Sequence, residues 1–126
     1  MTKDELVLST LPKTWIIDLD GTLFKHNGYK IDGYDTPIKD NIEFLSHIPQ
    51  SDKIILLTAR CEKYCESTKN TLDSLGIRYD EIIFNAPFGE RILINDSKPS
   101  GLKTAYAINI ERDRKIDISI KYDASL

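Results

Sequence analysis

The sequence predicts an α/β protein with a Rossmann-like, three-layer α/β/α fold around a central parallel sheet. Short, unbroken apolar runs alternate along the chain with segments of helical periodicity, in the order β-α-β-α-β. Strands that are apolar on both faces are typical of parallel sheets covered by helices. A length of 126 residues fits one domain with its own core, so we expect a single domain over residues 1–126.

Each strand and helix is predicted from its own local pattern. Apolar runs predict four buried strands, at residues 15–17, 54–57, 82–84 and 92–94. Capping residues predict three helices: one from an N-cap at Thr2 to Pro12, one beginning at Thr36-Pro37, and one over residues 61–75 that stops at Gly76.

Two further segments are predicted to lie outside this alternation. Residues 22–35 mix glycines with polar and aromatic residues, which indicates an irregular flap. Residues 116–122 alternate apolar and polar side chains, and a polar turn at 111–114 joins them to residues 105–110. We therefore expect a C-terminal β-hairpin over residues 104–123, added to the sheet edge or used as a subunit contact.

Composition and charge limit the classes of function. Hydrophobic residues make up 40% of the chain and charged residues 29%, which argues against a disordered chain. The longest apolar run, residues 54–57, is too short to cross a bilayer, and the first residues lack the pattern of an export signal. The net charge of −3 argues against a nucleic-acid partner. We expect a cytoplasmic protein without membrane or nucleic-acid partners, in which Cys61 and Cys65 are reduced thiols rather than a metal or redox site.

A polar residue stands at the end of three predicted strands. Asp18, Thr58 and Asp96 each fall at or just past the carboxyl end of an apolar run. Ligands of parallel α/β sheets bind beyond the carboxyl ends of the strands, so we expect these three side chains on one rim.

The run Asp18-Leu19-Asp20-Gly21-Thr22 supplies the groups that hydrolysis of a phosphomonoester requires. Asp18 would attack phosphorus to form an aspartyl phosphate, and Asp20 would protonate the leaving oxygen and then activate water. A carboxylate needs a divalent cation to approach an anionic phosphate, and Mg²⁺ suits a site with few carboxylates. Gly21 permits close approach of the backbone, and the Thr22 hydroxyl and backbone N–H groups can hold phosphate.

The Asp-x-Asp-Gly pattern has two other readings. Calcium-binding loops also contain Asp-x-Asp-Gly, but here an apolar strand precedes the pattern. Counted from Asp18 as position one, the twelfth position, which is acidic in a calcium loop, is Tyr29. The second alternative is a plain N-terminal turn with solvated aspartates.

Three segments together resemble motifs of the haloacid dehalogenase (HAD) superfamily of phosphatases. Residues 15–23 resemble the first motif, residues 56–60 the second, and residues 92–96 the fourth. They occur in the order of that family and cover roughly residues 14–104.

The resemblance implies a role for each matching residue. It makes Asp18 the nucleophile and a metal ligand, and Asp20 the acid/base, which ligates Mg²⁺ through its backbone carbonyl. Thr58 would bind phosphate and Asp96 would complete the metal site. The segment Thr58-Ala59-Arg60 places Ala59 and Arg60 at the substrate, with a surface salt bridge as the alternative for Arg60.

Two positions depart from the family pattern. The acidic pair of the fourth motif reads Asn95-Asp96, so one carboxylate is an amide. The Lys-Pro that many small relatives carry before this motif reads Ala86-Pro87. Lys98 is predicted to supply the missing ammonium from another backbone position, and the alternative is an ordinary surface lysine.

The spacing of the motifs leaves no room for an inserted cap domain. Only 39 residues separate Asp18 from Thr58, and 37 separate Thr58 from Asp96. We expect the flap at residues 22–35, or a second subunit in a homo-oligomer, to shield the site from water.

The chain is also similar to small bacterial phosphatases of capsule and surface-polysaccharide synthesis, in its Thr-Ala-Arg segment and in residues 94–101. That resemblance implies a phosphorylated sugar or a related capsule precursor as substrate. Two alternatives have other functions: a HAD-like binding or regulatory module with weak turnover, favoured by Asn95 and Ala86, and a phosphoryl-accepting receiver domain, which lacks Asp-x-Asp-Gly-Thr.

Overall fold

The computed structural model describes residues 4–126, whose contacts form two compact units. The first unit contains the residues up to Leu11, Gly89–Asn109 and Asp117–Leu126, and the second contains Pro12–Phe88 and Ile110–Ile116. In chain order the elements are β1 (Asp4–Leu8), β2 (Thr14–Asp18), α1 (Gly28–Ile31), α2 (Lys39–Ser46), β3 (Lys53–Leu57), a 3₁₀ turn (Glu62–Tyr64), α3 (Cys65–Ser74), β4 (Glu81–Ile83) and β5 (Ile118–Tyr122).

The second unit is built on a parallel sheet in the order β2-β3-β4. Its strands match three of the predicted apolar runs, and the register pairs Asp18 with Leu57. Asp52 holds the start of β2, since its carboxylate accepts the Lys13 N–H (3.0 Å) and the indole N–H of Trp15 (2.9 Å). The carboxyl ends of β2 and β3 are therefore level.

The core of the second unit lies on one face of this sheet. Ile54 and Leu56 of β3 are fully buried, whereas Ile16 of β2 and Ile83 of β4 are about half exposed. The core contains Ile17, Leu19, Leu23, Phe24, Leu45, Ile48, Ile54, Leu56, Leu72 and Ile77. The α/β class with parallel strands is confirmed, but the three-layer arrangement is not.

The helices of the second unit begin and end where backbone hydrogen bonds allow. α2 begins at Lys39 rather than at the predicted Thr36-Pro37, because Ile38 is extended and its N–H donates to the Leu23 carbonyl (2.8 Å). α3 ends as predicted at Gly76, which adopts the left-handed conformation (φ +67°) that favours glycine. Cys61 and Cys65, beside the start of α3, are free thiols.

The first unit carries the parallel pair of β1 and β5. The predicted helix before β2 is wrong over Asp4–Leu8, which form a strand; its proposed N-cap, Thr2, lies outside the described residues. Leu6 (9% exposed) and Leu8 (8%) alternate with the more exposed Val7 (38%), the period of a strand with one buried face.

The predicted C-terminal hairpin is not confirmed. β5 pairs in parallel with β1, and residues 104–117 contain no strand. The turn at 111–114 does form, with the Arg114 N–H donating to the Glu111 carbonyl (3.1 Å), but it belongs to the second unit. Alternation predicts a strand and does not select its partner, because that choice depends on distant residues.

The predicted strand at residues 92–94 is also wrong. Ile92, Leu93 and Ile94 are 83%, 60% and 91% exposed and lie outside the strands of the described chain. An apolar run of three residues becomes a strand only by pairing with a sheet edge, and local sequence does not supply that edge. Within residues 4–126, no helix has the length and apolar character needed to span a membrane.

Burial on one face of the sheet predicts unequal effects of truncation. Leu56→Ala should lower the free energy of unfolding by about 3 kcal/mol, because it leaves a cavity in the core. Ile16→Ala, on the exposed face of the adjacent strand, should cost less than about 1 kcal/mol. Urea denaturation measures both, and equal losses would mean that the face carrying Ile16 is also covered.

Candidate active site

The candidate site lies at the carboxyl ends of β2 and β3 in the second unit. Asp18 is the last residue of β2, and Thr58 directly follows β3. Because Asp18 pairs with Leu57 in register, Thr58 lies one position past the partner of Asp18, at the same rim of the sheet. This is the edge where parallel α/β sheets bind ligands.

The loop after β2 is closed by backbone hydrogen bonds. The Leu19 carbonyl accepts the N–H groups of Thr22, Leu23 and Phe24 at 2.8–3.1 Å, and the Gly21 N–H donates to the Phe24 carbonyl (2.7 Å). Gly21 has a φ of +85°, which an L side chain rarely adopts. The Thr22 hydroxyl donates to Oδ2 of Asp18 (3.3 Å), so the loop places a hydroxyl next to the predicted nucleophile.

A segment that sequence reasoning did not connect to the site, residues 110–116, contacts this loop. The Asp113 N–H donates to the Gly21 carbonyl (2.8 Å), and Oδ1 of Asp113 accepts the His26 N–H (2.7 Å). Cγ of Arg112 lies 3.3 Å from the position that a Cβ at Gly21 would occupy. The side chain of Arg112 thus covers the backbone between Asp20 and Thr22.

Asn41 of α2 holds the loop and this segment together. Its side chain is fully buried, and its amide N–H groups donate to the carbonyls of Thr22 (2.7 Å) and Arg114 (2.9 Å). Its Oδ1 accepts the Ile116 N–H (2.7 Å). Sequence reasoning missed Asn41, and an asparagine within a helical pattern carried no signal that its partners lie 19 to 75 residues away.

Thr58 lies in the same rim but is almost fully buried (1% exposed). Its N–H donates to the Ile83 carbonyl (2.9 Å), and its hydroxyl oxygen accepts the Arg60 N–H (3.1 Å). A hydroxyl that accepts one hydrogen bond keeps its own proton to donate. The Ala86 N–H donates to the Thr58 carbonyl (3.0 Å), so Ala86 adjoins Thr58 at the end of β3.

Arg60 is the most heavily bonded side chain at this rim. Its Nε and Nη2 donate to both carboxylate oxygens of Asp20, at 3.0 and 2.9 Å. Its Nη1 and Nη2 donate to both oxygens of Asp35, at 3.1 and 2.7 Å, and Nη1 also donates to the Thr68 hydroxyl (3.0 Å). The guanidinium has five N–H groups, and all five are directed to protein acceptors.

This geometry does not support the prediction that Arg60 contacts substrate. The Arg60 side chain is 1% exposed, and the side chains of Asp20 and Asp35 are 15% and 5% exposed. Burial alone would lower the pKa of Arg60, but the hydrogen bonds to Asp20 and Asp35 outweigh it and raise that pKa. The guanidinium is therefore a permanent cation between two carboxylates. Asp35 carried no sequence signal for this pairing.

The flap at residues 22–35 is less irregular than predicted, since it contains the one-turn helix α1. The ring of Tyr29 lies under the guanidinium of Arg60, with the guanidinium carbon 4.0 Å from the ring centroid. Burial, with the nearby charge of Asp20, raises the pKa of the Tyr29 hydroxyl. Tyr29 also packs edge-to-face against Tyr64 at 4.7 Å, which joins the flap to the start of α3.

Two predicted site residues, Asp96 and Lys98, belong to the first unit. The Asn95 amide donates to the carbonyl (3.3 Å) and hydroxyl (3.1 Å) of Thr104, and that hydroxyl donates to the Asp96 carbonyl. The Lys98 N–H donates to the Leu102 carbonyl (3.1 Å). These contacts form a local loop, and the part of Asp96 and Lys98 in the site stays a prediction.

Mg²⁺ stays a prediction for the rim that carries Asp18. Among residues 4–126, no group of three or more His, Cys, Asp or Glu side chains is placed to hold a metal ion. Mg²⁺ does not require such a group, since it binds one or two carboxylates and completes its shell with waters and phosphate oxygens. The Asp20 carboxylate is engaged by Arg60, so Asp18 and the Asp20 backbone carbonyl are the oxygen donors that this rim offers.

Comparison with known proteins gives a limited likeness. No family model matches the chain, and no curated protein matches it. A chain in the structure of the Pnkp1/Rnl/Hen1 complex is 30% identical with a TM-score of 0.52, over 73% of this chain and 33% of that one. A crystal structure from Vibrio cholerae is 26% identical with a TM-score of 0.45, over 70% and 85% of the two chains.

The likeness to the Pnkp1/Rnl/Hen1 chain covers most of this protein but only about a third of that longer chain. It supports the α/β fold with parallel strands described above.

The contacts of Asn41 predict that this residue stabilises the loop after β2. Asn41→Ala should lower the free energy of unfolding by about 3 kcal/mol, because it leaves two carbonyls and one N–H without their buried partner. Asn70→Ala, on the exposed side of α3, is the matched control and should change stability by less than about 0.5 kcal/mol. Thermal and urea unfolding measure both, and equal effects would contradict the role of Asn41.

Proposed function

We propose that this chain is a HAD-type, Mg²⁺-dependent phosphomonoesterase that acts through an aspartyl phosphate on Asp18. The observation that carries the proposal is the rim where Asp18 and Thr58 follow the ends of β2 and β3, with the Asp20 carboxylate held by Arg60. This arrangement supports Asp18 as nucleophile, Thr58 as the hydroxyl that binds phosphate and Asp20 as the group for proton transfer.

The first half of the reaction uses Asp18. Its carboxylate attacks phosphorus, the bond to the leaving alkoxide breaks, and the phosphoryl group is transferred to Asp18. The Thr58 hydroxyl keeps its own proton and would donate it to a phosphoryl oxygen, whereas the N–H groups of residues 21–24 are already bonded to backbone carbonyls. Asp18 and the Asp20 carbonyl would hold Mg²⁺, with Asp96 as the further ligand that the sequence resemblance implies, and the ion would supply the charge neutralisation that lets a carboxylate approach an anionic phosphate.

Asp20 handles the proton in both halves of the reaction. Each of its oxygens accepts one hydrogen bond from Arg60, which leaves a second lone pair on each oxygen for a proton. Protonated Asp20 donates to the leaving oxygen, and ionised Asp20 then takes a proton from the water that opens the aspartyl phosphate.

A cation must replace the lysine that is absent at Ala86. Lys98 is one source, as proposed from the sequence. Arg112 is a second, because its side chain covers Gly21 and forms no ion pair within residues 4–126. An arginine there would bind phosphate oxygens through paired N–H groups.

The finer features of the proposal follow from the sequence. They are a single three-layer domain without a cap, a cytoplasmic location, and shielding of the site by the flap or by a second subunit. The proposed substrate is a small phosphorylated metabolite, such as a sugar phosphate or capsule precursor.

A catalytically weak binding or regulatory module is the second candidate. Two observations favour it: Ala86, whose N–H donates to the Thr58 carbonyl, carries no charge, and the Asn95 amide donates to Thr104. Such a module would bind phosphate and Mg²⁺ but release no phosphate from any substrate.

Substitution of the nucleophile tests the main proposal. Asp18→Asn preserves shape but removes the attacking charge, so release of phosphate should fall to the background rate without enzyme. The assay measures Mg²⁺-dependent phosphate release from an aryl phosphate and a panel of sugar phosphates. Asp40→Asn, an exposed aspartate on α2, is the control and should retain wild-type rates. Equal activity of Asp18→Asn and wild type would disprove the mechanism, and wild type inactive on every substrate would favour the binding module.

The missing lysine generates a paired prediction. If Arg112 supplies the replacement cation, Arg112→Ala should raise KM about tenfold or more, because a charge-assisted contact to phosphate is lost. Lys98→Ala, assayed in parallel, should do the same if Lys98 supplies it. Steady-state kinetics on one sugar phosphate at fixed Mg²⁺ measure both. Unchanged kinetics in a variant would remove that residue from the site.

A further inference from the structure

The side chains of Asp20, Arg60 and Asp35, here named the Arg60 clamp, form a buried charge cluster at the rim. One guanidinium bridges two carboxylates through four hydrogen bonds of 2.7–3.1 Å. The three residues come from three segments: Asp20 from the loop after β2, Arg60 from the segment after β3, and Asp35 from the end of the flap.

The clamp is a costly way to stabilise a fold. Two carboxylates and one guanidinium leave an unbalanced negative charge in a site where the guanidinium side chain is 1% exposed. Buried ion pairs commonly stabilise a protein no more than apolar residues of similar volume, because desolvation offsets their attraction. What they contribute is orientation, since a bidentate arginine pair fixes both the plane and the position of a carboxylate.

The clamp itself is held from several sides. The Thr68 hydroxyl of α3 accepts from Nη1 of Arg60, and the Tyr29 ring supports the face of the guanidinium. Asp35 engages the N–H groups that Asp20 does not use. Arg60 therefore has little freedom to rotate, and neither has the Asp20 carboxylate that it holds.

We infer that Arg60, itself oriented by Asp35, is a positioning residue that holds the Asp20 carboxylate in line for proton transfer and does not touch the substrate. The inference rests on the proposed function and deepens it, because it ties the flap to the group that moves the proton.

Arg60→Lys is the most direct variant, because lysine keeps the charge but cannot bind two carboxylates bidentately. A carboxylate misplaced by about 1 Å should slow the step that needs its proton by about a hundredfold. We expect that loss in kcat/KM on alkyl phosphates, whose leaving groups must be protonated. Aryl leaving groups depart without a proton, so kcat/KM on aryl phosphates should stay within about threefold of wild type.

Inorganic phosphate distinguishes positioning from substrate binding. As a competitive inhibitor it reports contacts to the phosphoryl group alone. If Arg60 only positions Asp20, the inhibition constant of phosphate should be the same in Arg60→Lys and wild type. A rise of tenfold or more would mean that Arg60 contacts phosphate, and would overturn the inference.

A double-mutant comparison tests whether Arg60 acts through Asp20. On alkyl phosphates, Asp20→Asn combined with Arg60→Lys should be no slower than Asp20→Asn alone, because no acid then remains to be positioned. Multiplication of the two single losses would overturn the inference. Arg78→Lys, the same change at a partly exposed arginine that contacts Pro49 and Asp52, is the control and should leave both substrate classes at wild-type rates.

Asp35→Asn keeps the test decisive if Arg60→Lys does not fold. It leaves Asp20 and Arg60 paired but weakens the hold on the guanidinium, so kcat/KM on alkyl phosphates should fall by about tenfold while kcat/KM on aryl phosphates does not. An equal fall in kcat/KM for both classes would overturn the inference alone, since wild type would still turn over. A wild type without Mg²⁺-dependent turnover would instead remove the proposed function, and the inference with it.

Discussion

The parallel pairing of β2 and β3 is the constraint on which the site depends. Five residues of each strand pair in register, and burial of Ile17, Ile54 and Leu56 on one face holds that register, because a slip by one residue would turn these side chains to the exposed face. With the register held, the strands end together, and Asp18 and Thr58 lie at the same rim. The Asp52 carboxylate sets the start of β2 through two hydrogen bonds. A polar rim thus follows from apolar packing several residues away.

A second layer of contacts shapes the loop that leaves β2. Backbone hydrogen bonds onto the Leu19 carbonyl close it, Asn41 fastens it to α2, and the segment 110–116 lies against Gly21. The hydrogen bonds of Asn41 are at least partly buried, so they stabilise the loop only when both partners are in place. The Arg60 clamp belongs to the same layer. In it Arg60, two residues after Thr58 in sequence, is an internal support for the Asp20 carboxylate.

The sequence predicted well what local pattern controls. Three of four apolar runs became strands of the sheet, Gly76 ended α3, and the polar run 111–114 became a turn. The errors occurred where a pattern needed a distant partner. The alternation of residues 116–122 predicted a strand but not its parallel pairing with β1, and residues 92–94 lacked an edge to join. At the N-terminus the capping pattern of Thr2 and Pro12 predicted a helix, whereas Leu6 and Leu8 are buried with the two-residue period of a strand.

The sequence by itself determined the α/β class, the polar rim at the ends of β2 and β3, and the run Asp18–Thr22 that makes a phosphoryl site the leading hypothesis. Spacing and residue type carry that information because they act over a few neighbouring positions. Only the tertiary structure decided that Arg60 faces inward to Asp20 and Asp35, that Asn41 joins three segments, and that Arg112 covers Gly21. Those partners lie 19 to 91 positions apart in the chain, and only folding brings their polar groups within hydrogen-bonding or van der Waals distance.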